Sequence, residues 1–273
     1  MLRFVPALLC VPVLAGCLSE SPVQRVEPGE PVTAPETFDH SAFTAVLAEV
    51  VDERGLVDYA ALTADPAPLD AYLADLAATD PSNLADADRL AFWLNVYNAC
   101  TLKLIADNYP VGSIRDVVEG AFVPLVNTPF KVEFVVVGGE TRTLDKVEHG
   151  IIRPEFGEPR IHFALVCAAV SCPPLRAEAY AGDLLDAQLD DQARRFLANP
   201  DKNRVPAGDE TIALSKIFDW FSGDFGEGPT GLQAFLAPYF DGAVRETLEA
   251  GGYDVNYLPY DWSLNDTATP DPS

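Results

Sequence analysis

Cations are scarce in this chain. Against 42 Asp and Glu stand 18 Lys and Arg, a formal charge of −24 over 273 residues. Nucleic-acid affinity rests on cationic contacts to phosphate, so DNA or RNA binding is excluded as a main function. Histidine is scarcer still, at 3, so few side chains titrate near neutral pH. Beyond residue 14 no stretch approaches the ~20 uninterrupted apolar residues that a spanning helix needs. Internal repeats are lacking, and residues 38–265 contain no second linker, so one domain is the economical reading. A core is not lacking: 48% of the residues are apolar and 10% aromatic, which excludes a disordered or collagenous chain.

The first residues form a targeting signal. Arg3 precedes the apolar run Phe4–Leu14, too short to cross a bilayer, and small residues follow. Leu14-Ala15-Gly16-Cys17 resembles the lipobox of bacterial lipoproteins, in which the cysteine thiol is acylated and becomes the first residue. The alternative is an ordinary signal peptide cut near Gly16. The lipobox implies removal of residues 1–16 and membrane lipid as a partner through acylated Cys17. With Leu18 rather than Asp after it, the resemblance favours the outer membrane of a Gram-negative bacterium, facing the periplasm. Residues 18–37, rich in Ser, Glu, Pro and Val without periodicity, read as a solvated tether, and 266–273 as an unstructured tail.

Within the domain, His40–Val51 and Leu69–Ala78 carry apolar residues at helical spacing. The strongest helix spans Asp86 to Asn108: Leu90, Trp93, Tyr97, Cys100 and Leu104 form a stripe wide enough to imply burial on most sides. Val132–Val137, Gly138-Gly139 and Glu140–Leu144 predict a hairpin with a two-residue turn. Asp145 is the expected N-cap of a short helix ending before Pro154. Arg160–Cys167, almost wholly apolar, suits a central strand. Gly182–Leu197 is an amphipathic helix. Asn203–Pro206 and Thr211–Leu214 read as a second hairpin, Ser215 caps a short aromatic helix, and Tyr253–Leu258 closes as a strand. The mixture lacks a βαβ rhythm and predicts an α+β fold. Its expected form is a helical N-terminal part packed on a small mixed or antiparallel sheet, of papain- or transglutaminase-like kind.

Chemistry concentrates in a few side chains. Cys100 lies on the helical stripe and reads as a buried structural thiol. Cys172, fixed by Pro173 and Pro174, is a candidate nucleophile; a disulfide with Cys167 is the competing reading at even odds. Cys167 could equally be the nucleophile. His149, beside Glu148 on a short helix, is the expected general base, oriented by Glu148 or Asn98. His162, placed within the strand, reads as a hydrogen-bonded core histidine. Asn95 and Asn98 sit in an apolar helix and must be hydrogen-bonded, tying down a neighbouring loop. Glu148, His149, His162, Cys167 and Cys172 have a metal-like spacing only at Cys167…Cys172, so no metal and no cofactor is expected.

Taken together, several segments resemble the domain-of-unknown-function 547 family. They are Val57-Asp58-Tyr59, Ala91–Asn98, Glu148-His149-Gly150-Ile151-Ile152-Arg153-Pro154, Arg160–Cys167, Ser171-Cys172-Pro173-Pro174-Leu175, Tyr180, Ser215–Trp220 and Tyr260–Asn265. The resemblance spans nearly all of residues 38–265. It carries no settled activity, but implies that the Glu-His, Ile-His and Ser-Cys-Pro segments share one core. Two functions follow as expectations. One is a thiol-dependent hydrolase or acyltransferase acting on an envelope amide or ester. The other is a non-catalytic envelope module that binds a protein or small ligand, with Cys167–Cys172 as a structural disulfide.

Overall fold

A computed structural model describes residues 37–117, 128–208 and 210–269. The signal segment, Cys17, Leu18 and most of the expected tether lie outside these residues. In chain order the elements are α1 (Ser41–Val50), α2 (Tyr59–Ala64), α3 (Ala67–Ala78), α4 (Asp86–Ala106), β1 (Val135–Val137), β2 (Glu140–Arg142), α5 (Leu144–Val147), α6 (Arg153–Phe156), α7 (Ile161–Ala164), α8 (Leu185–Leu197), β3 (Thr211–Leu214), α9 (Ile217–Trp220), α10 (Gly228–Leu236), α11 (Gly242–Glu249) and β4 (Asp254–Tyr257). The domain is α+β. No described helix is long and apolar enough to cross a membrane.

The wide stripe of α4 dictates the architecture. Every residue from Leu90 to Leu102 is buried, so neighbours must surround the helix, and α2, α3 and α5 pack on it. One core gathers around α4; a second, built from Phe163, Phe196, Phe218, Phe225, Leu232 and Leu236, lies among α7 to α10. Tyr260 packs against both, at their seam.

The strands differ from the single small sheet expected. β1 and β2 form the predicted hairpin, turned at Gly138 and Gly139, whose φ of +58° and +75° suit glycine. β3 pairs in parallel with β4, and its expected partner segment keeps only an isolated bridge, Arg204 to Ala213.

Arg160–Cys167 is not a strand. Ile161–Ala164 makes one helical turn, and the chain becomes extended at Leu165. An apolar run buried on all sides has no period by which helix and strand differ. The hydrogen bonds that a sheet neighbour would supply come from Asn98: its Nδ2 donates to Ala164 O and its Oδ1 accepts the Val166 N–H, each at 3.0 Å. Asn95 clamps Tyr180 in the same two-sided way, at 2.8 and 2.9 Å.

Two helix boundaries also move. Thr143, not Asp145, caps α5, accepting from the Lys146 N–H. Nor does the helix end before Pro154. Glu148–Ile152 is a π-helical turn in which the Arg153 N–H reaches back to Glu148 O, and α6 continues through Pro154. The widened register tolerates a residue without an N–H, and such bulges favour functional sites. The start of the expected tail is ordered too: Asp266 is buried, bridges to Val57 and accepts the Tyr109 hydroxyl at 2.9 Å.

Candidate functional site

A cleft of ≈ 260 Å³ opens at the seam of the two cores. Its aromatic walls include Tyr97, Phe130, Trp220, Phe221, Tyr260 and Trp262, and Glu148, His149, His162, Cys167 and Cys172 line it as well. Each comes from a distinct local device. The π-turn presents Glu148 and His149, and the single turn of α7 presents His162. The Asn98 clamp holds the exit from α7, which leads to Cys167. Tyr97 projects from α4, one residue before that clamp. Asn98 itself is committed to the backbone of Ala164 and Val166, so it does not orient His149.

Asp224, which the sequence gave no reason to single out, organises the polar side. Arg153 grips it through Nε at 2.7 Å and Nη2 at 2.8 Å. Its Oδ2 also lies 2.7 Å from His162 Nε2. Hydrogen bonds from Arg153 hold the Asp224 carboxyl down at about 2, so it is an ionised acceptor. Burial pushes His162 down to about 4, against the pull of Asp224. The imidazole is therefore neutral near pH 7, with Nε2–H donating to Asp224 and Nδ1 unprotonated. Phe221 stacks on its ring, centroids 4.0 Å apart and 18° from parallel.

His149 is placed differently from the expectation. Its Nδ1 lies 3.3 Å from Arg153 Nη1, and a guanidinium only donates, so Nδ1 accepts and Nε2 carries the proton. Glu148 Oε1 stands 3.8 Å from that same Nδ1, too far for a hydrogen bond. Burial raises the Glu148 carboxyl above its usual range, and the Arg153 charge and a hydrogen bond from Tyr97 partly offset this.

Cys167 and Cys172 are joined in a disulfide, and Cys100 is a free, buried thiol pushed up to about 12 by burial. Cys172, the expected nucleophile, is 1% exposed, whereas Cys167 is half-buried. The intervening loop is braced. Val170 N–H donates to Ser263 O at 2.8 Å, Asn265 N–H to Ala168 O at 3.2 Å, and Leu175 N–H to Gly55 O at 3.2 Å. At Gly55 a Cβ would collide with Pro174, so only glycine admits this approach. Ala168 holds φ +60°, a conformation that costs a non-glycine residue ~1 kcal/mol or more.

Among the described residues, no three His, Cys, Asp or Glu side chains are grouped to hold a metal ion. The arrangement offers a neutral histidine backed by an ionised aspartate, a second histidine presenting an N–H, and sulfur on the cleft wall. Sequence reasoning missed Asp224, Arg153, Tyr97 and Tyr260 as members of the site. Only Arg153, Tyr97 and Tyr260 carried a signal, as parts of the segments on which the sequence resemblance rests.

No curated protein and no solved structure matches this chain. The segments at Val57–Tyr59, Ser215–Trp220 and Tyr260–Asn265 lie outside the stretch that a known family covers. Residues 81–197, which supply Tyr97, Glu148, His149, Arg153, His162 and both cleft cysteines, match the family described as Protein of unknown function, DUF547, so this part of the chain is similar to that family's domain.

Proposed function

We propose that this protein is a lipid-anchored envelope hydrolase or acyltransferase with Cys167 as its nucleophile. The observation that carries this is His162, hydrogen-bonded to Asp224 behind it and lining the same cleft as Cys167. A neutral imidazole is in its base form, and an adjacent carboxylate stabilises the imidazolium that appears when it accepts a thiol proton. The Cys167 thiolate then attacks an ester or amide carbonyl, and the imidazolium returns the proton to the leaving oxygen or nitrogen. His149 Nε2–H and the Tyr260 hydroxyl are donors for the developing oxyanion. The aromatic walls suit a substrate with an apolar body. In the disulfide form the nucleophile is masked, so activity belongs to the reduced protein. Acylated Cys17 would hold the domain at the membrane, with the periplasmic face of the outer membrane as its expected address.

A trapping experiment tests this. Reduced protein given p-nitrophenyl butyrate should acquire one butyryl group on Cys167, read by peptide mass, and should lose it with Cys167→Ser. Acylation at Cys100 alone, or none, contradicts the assignment. The closed disulfide favours a second reading, a binding module whose cleft holds a small ligand and whose cystine is a staple. Failure of acylation in protein shown to be reduced and folded selects that reading.

A further inference from the structure

The cystine on the cleft wall is built asymmetrically. Cys167 is half-buried and reachable from the cleft, whereas Cys172 is enclosed. The Cys167 backbone N–H donates to Cys172 Sγ at 3.0 Å. The Tyr260 oxygen stands 3.2 Å from each sulfur. Neither sulfur of a disulfide carries a proton, so the hydroxyl is the donor. Burial holds Tyr260 well above the usual phenol range, so it keeps that proton. Lys202 Nζ donates to the Cys172 carbonyl and brings a cation beside the residue. The enclosed sulfur, where charge develops if the S–S bond breaks toward Cys172, therefore has two donors in reach: the Cys167 N–H, and the Tyr260 hydroxyl it shares with Cys167 Sγ. A cystine acting only as a covalent staple makes no use of such donors.

We propose that Cys167–Cys172 is a thiol–disulfide exchange centre, opened by an external dithiol that attacks Cys167 from the cleft and expels Cys172 as the stabilised thiolate. In the first step the attacking thiolate forms a bond to Cys167 Sγ, and the electron pair of the broken S–S bond goes to Cys172 Sγ, which takes a proton from water. In the second step the other thiolate of the dithiol attacks its own sulfur in the mixed disulfide and releases Cys167. Two electrons pass from the dithiol, which ends as a disulfide, to the cystine, which ends as two thiols. The braced loop and the Tyr260 segment hold the donors in place before the bond breaks. This activity goes beyond acyl transfer and does not depend on it. The reacting sulfur is the same whether a small molecule or a protein carries it.

The test uses the full, oxidised chain under native conditions. It is exposed to dithiothreitol, reduced glutathione or reduced thioredoxin, quenched with an alkylating agent, and read by peptide mass. The expected result is labelling of Cys167 while Cys100 stays unlabelled, with the first thiol adduct on Cys167. Opening by the small thiols alone assigns the partner to a small molecule, and opening by thioredoxin assigns it to a protein thiol. Tyr260→Phe should slow opening about fivefold, the loss of one hydrogen bond to the leaving sulfur. A second arm does not depend on that variant folding: Cys172→Ala should trap a stable mixed disulfide with oxidised glutathione at Cys167. A disulfide inert to every reductant until denaturant is added, or a first adduct on Cys172, overturns the proposal. Cys172→Ala also separates the two activities, since it has no disulfide to open. If it acylates Cys167 while the native disulfide stays inert, exchange fails and acyl transfer stands; exchange without acylation gives the reverse.

Discussion

His162 and Asp224 are 62 residues apart in the chain and 2.7 Å apart in the fold. That contact joins the single turn of α7 to the loop after α9, and Arg153 ties the same carboxylate to the π-bulged helix. One aspartate thus fixes the tautomer of His162 and the guanidinium that contacts His149.

Removing that carboxylate should loosen the site and the domain together. Asp224→Ala leaves Arg153 and His162 without their shared acceptor, and should lower stability by about 1–3 kcal/mol. Asp224→Asn, which keeps one acceptor oxygen, should cost less. Urea midpoints of the three proteins check the order; an unshifted Asp224→Ala contradicts the role assigned to this carboxylate.

The α4 clamp is a second target. Asn98→Leu strands the Ala164 carbonyl and the Val166 N–H in the interior, and should cost about 2–4 kcal/mol. Trp93→Ala, at a position 4% exposed, should cost roughly 3–5 kcal/mol. Denaturant midpoints near the wild-type value for both would mean that α4 is not the axle of the fold.

Acid should weaken the protein before its carboxylates titrate. His40, buried and 2.7 Å from the Tyr72 hydroxyl, is pushed by burial down to about 4, as His162 is. The unfolded chain binds a proton at each below pH 6.5, and the folded chain refuses it until about pH 4, so stability falls as pH drops across that window. The loss approaches about 3 kcal/mol per histidine, opposed in part by Glu148, whose raised carboxyl favours the folded state as it protonates. His40→Gln should flatten the curve of unfolding free energy between pH 6.5 and 4. Superimposable wild-type and variant slopes contradict the burial of a neutral His40.

The anchor is tested at Cys17. If the proposed lipobox is used, Cys17→Ser should leave the protein unprocessed or release it from sedimented membranes, since that thiol is where the acyl chains would attach. Normal trimming with retention in the membrane fraction contradicts the lipobox.

The helices α1, α3 and α8 were legible because burial on one side leaves a period in the residues that face the core, and α4, enclosed over Leu90–Leu102, was legible from its length and its large apolar residues at helical spacing. The Gly138-Gly139 turn was legible because few sequences accept two left-handed residues. Arg160–Cys167 was not, because a segment enclosed on every side has no polar face to mark its period, and its hydrogen-bond partner is a side chain of α4. Pro154 misled because its missing N–H falls where the π-turn makes no demand. At the site, Glu148, His149, His162, Cys167 and Cys172 were visible as rare reactive residues, and the cleft gathers all five. Their partners were not: Asp224 is one of 42 acids, distinguished only by what the fold places against it.

The most direct measurement is the alkylation rate of each cysteine in reduced, folded protein across a pH series, read by peptide mass with iodoacetamide. Cys167 should react faster than Cys172 and Cys100 near pH 7, where His162 is a neutral base. His162→Gln should slow Cys167 about a hundredfold near pH 7, the low end of what one general base supplies, and Asp224→Asn should slow it by less, while His149→Ala leaves the rate within about twofold. A Cys167 that reacts no faster than Cys100, or at the same rate after His162→Gln, would contradict a thiol nucleophile served by the His162–Asp224 pair.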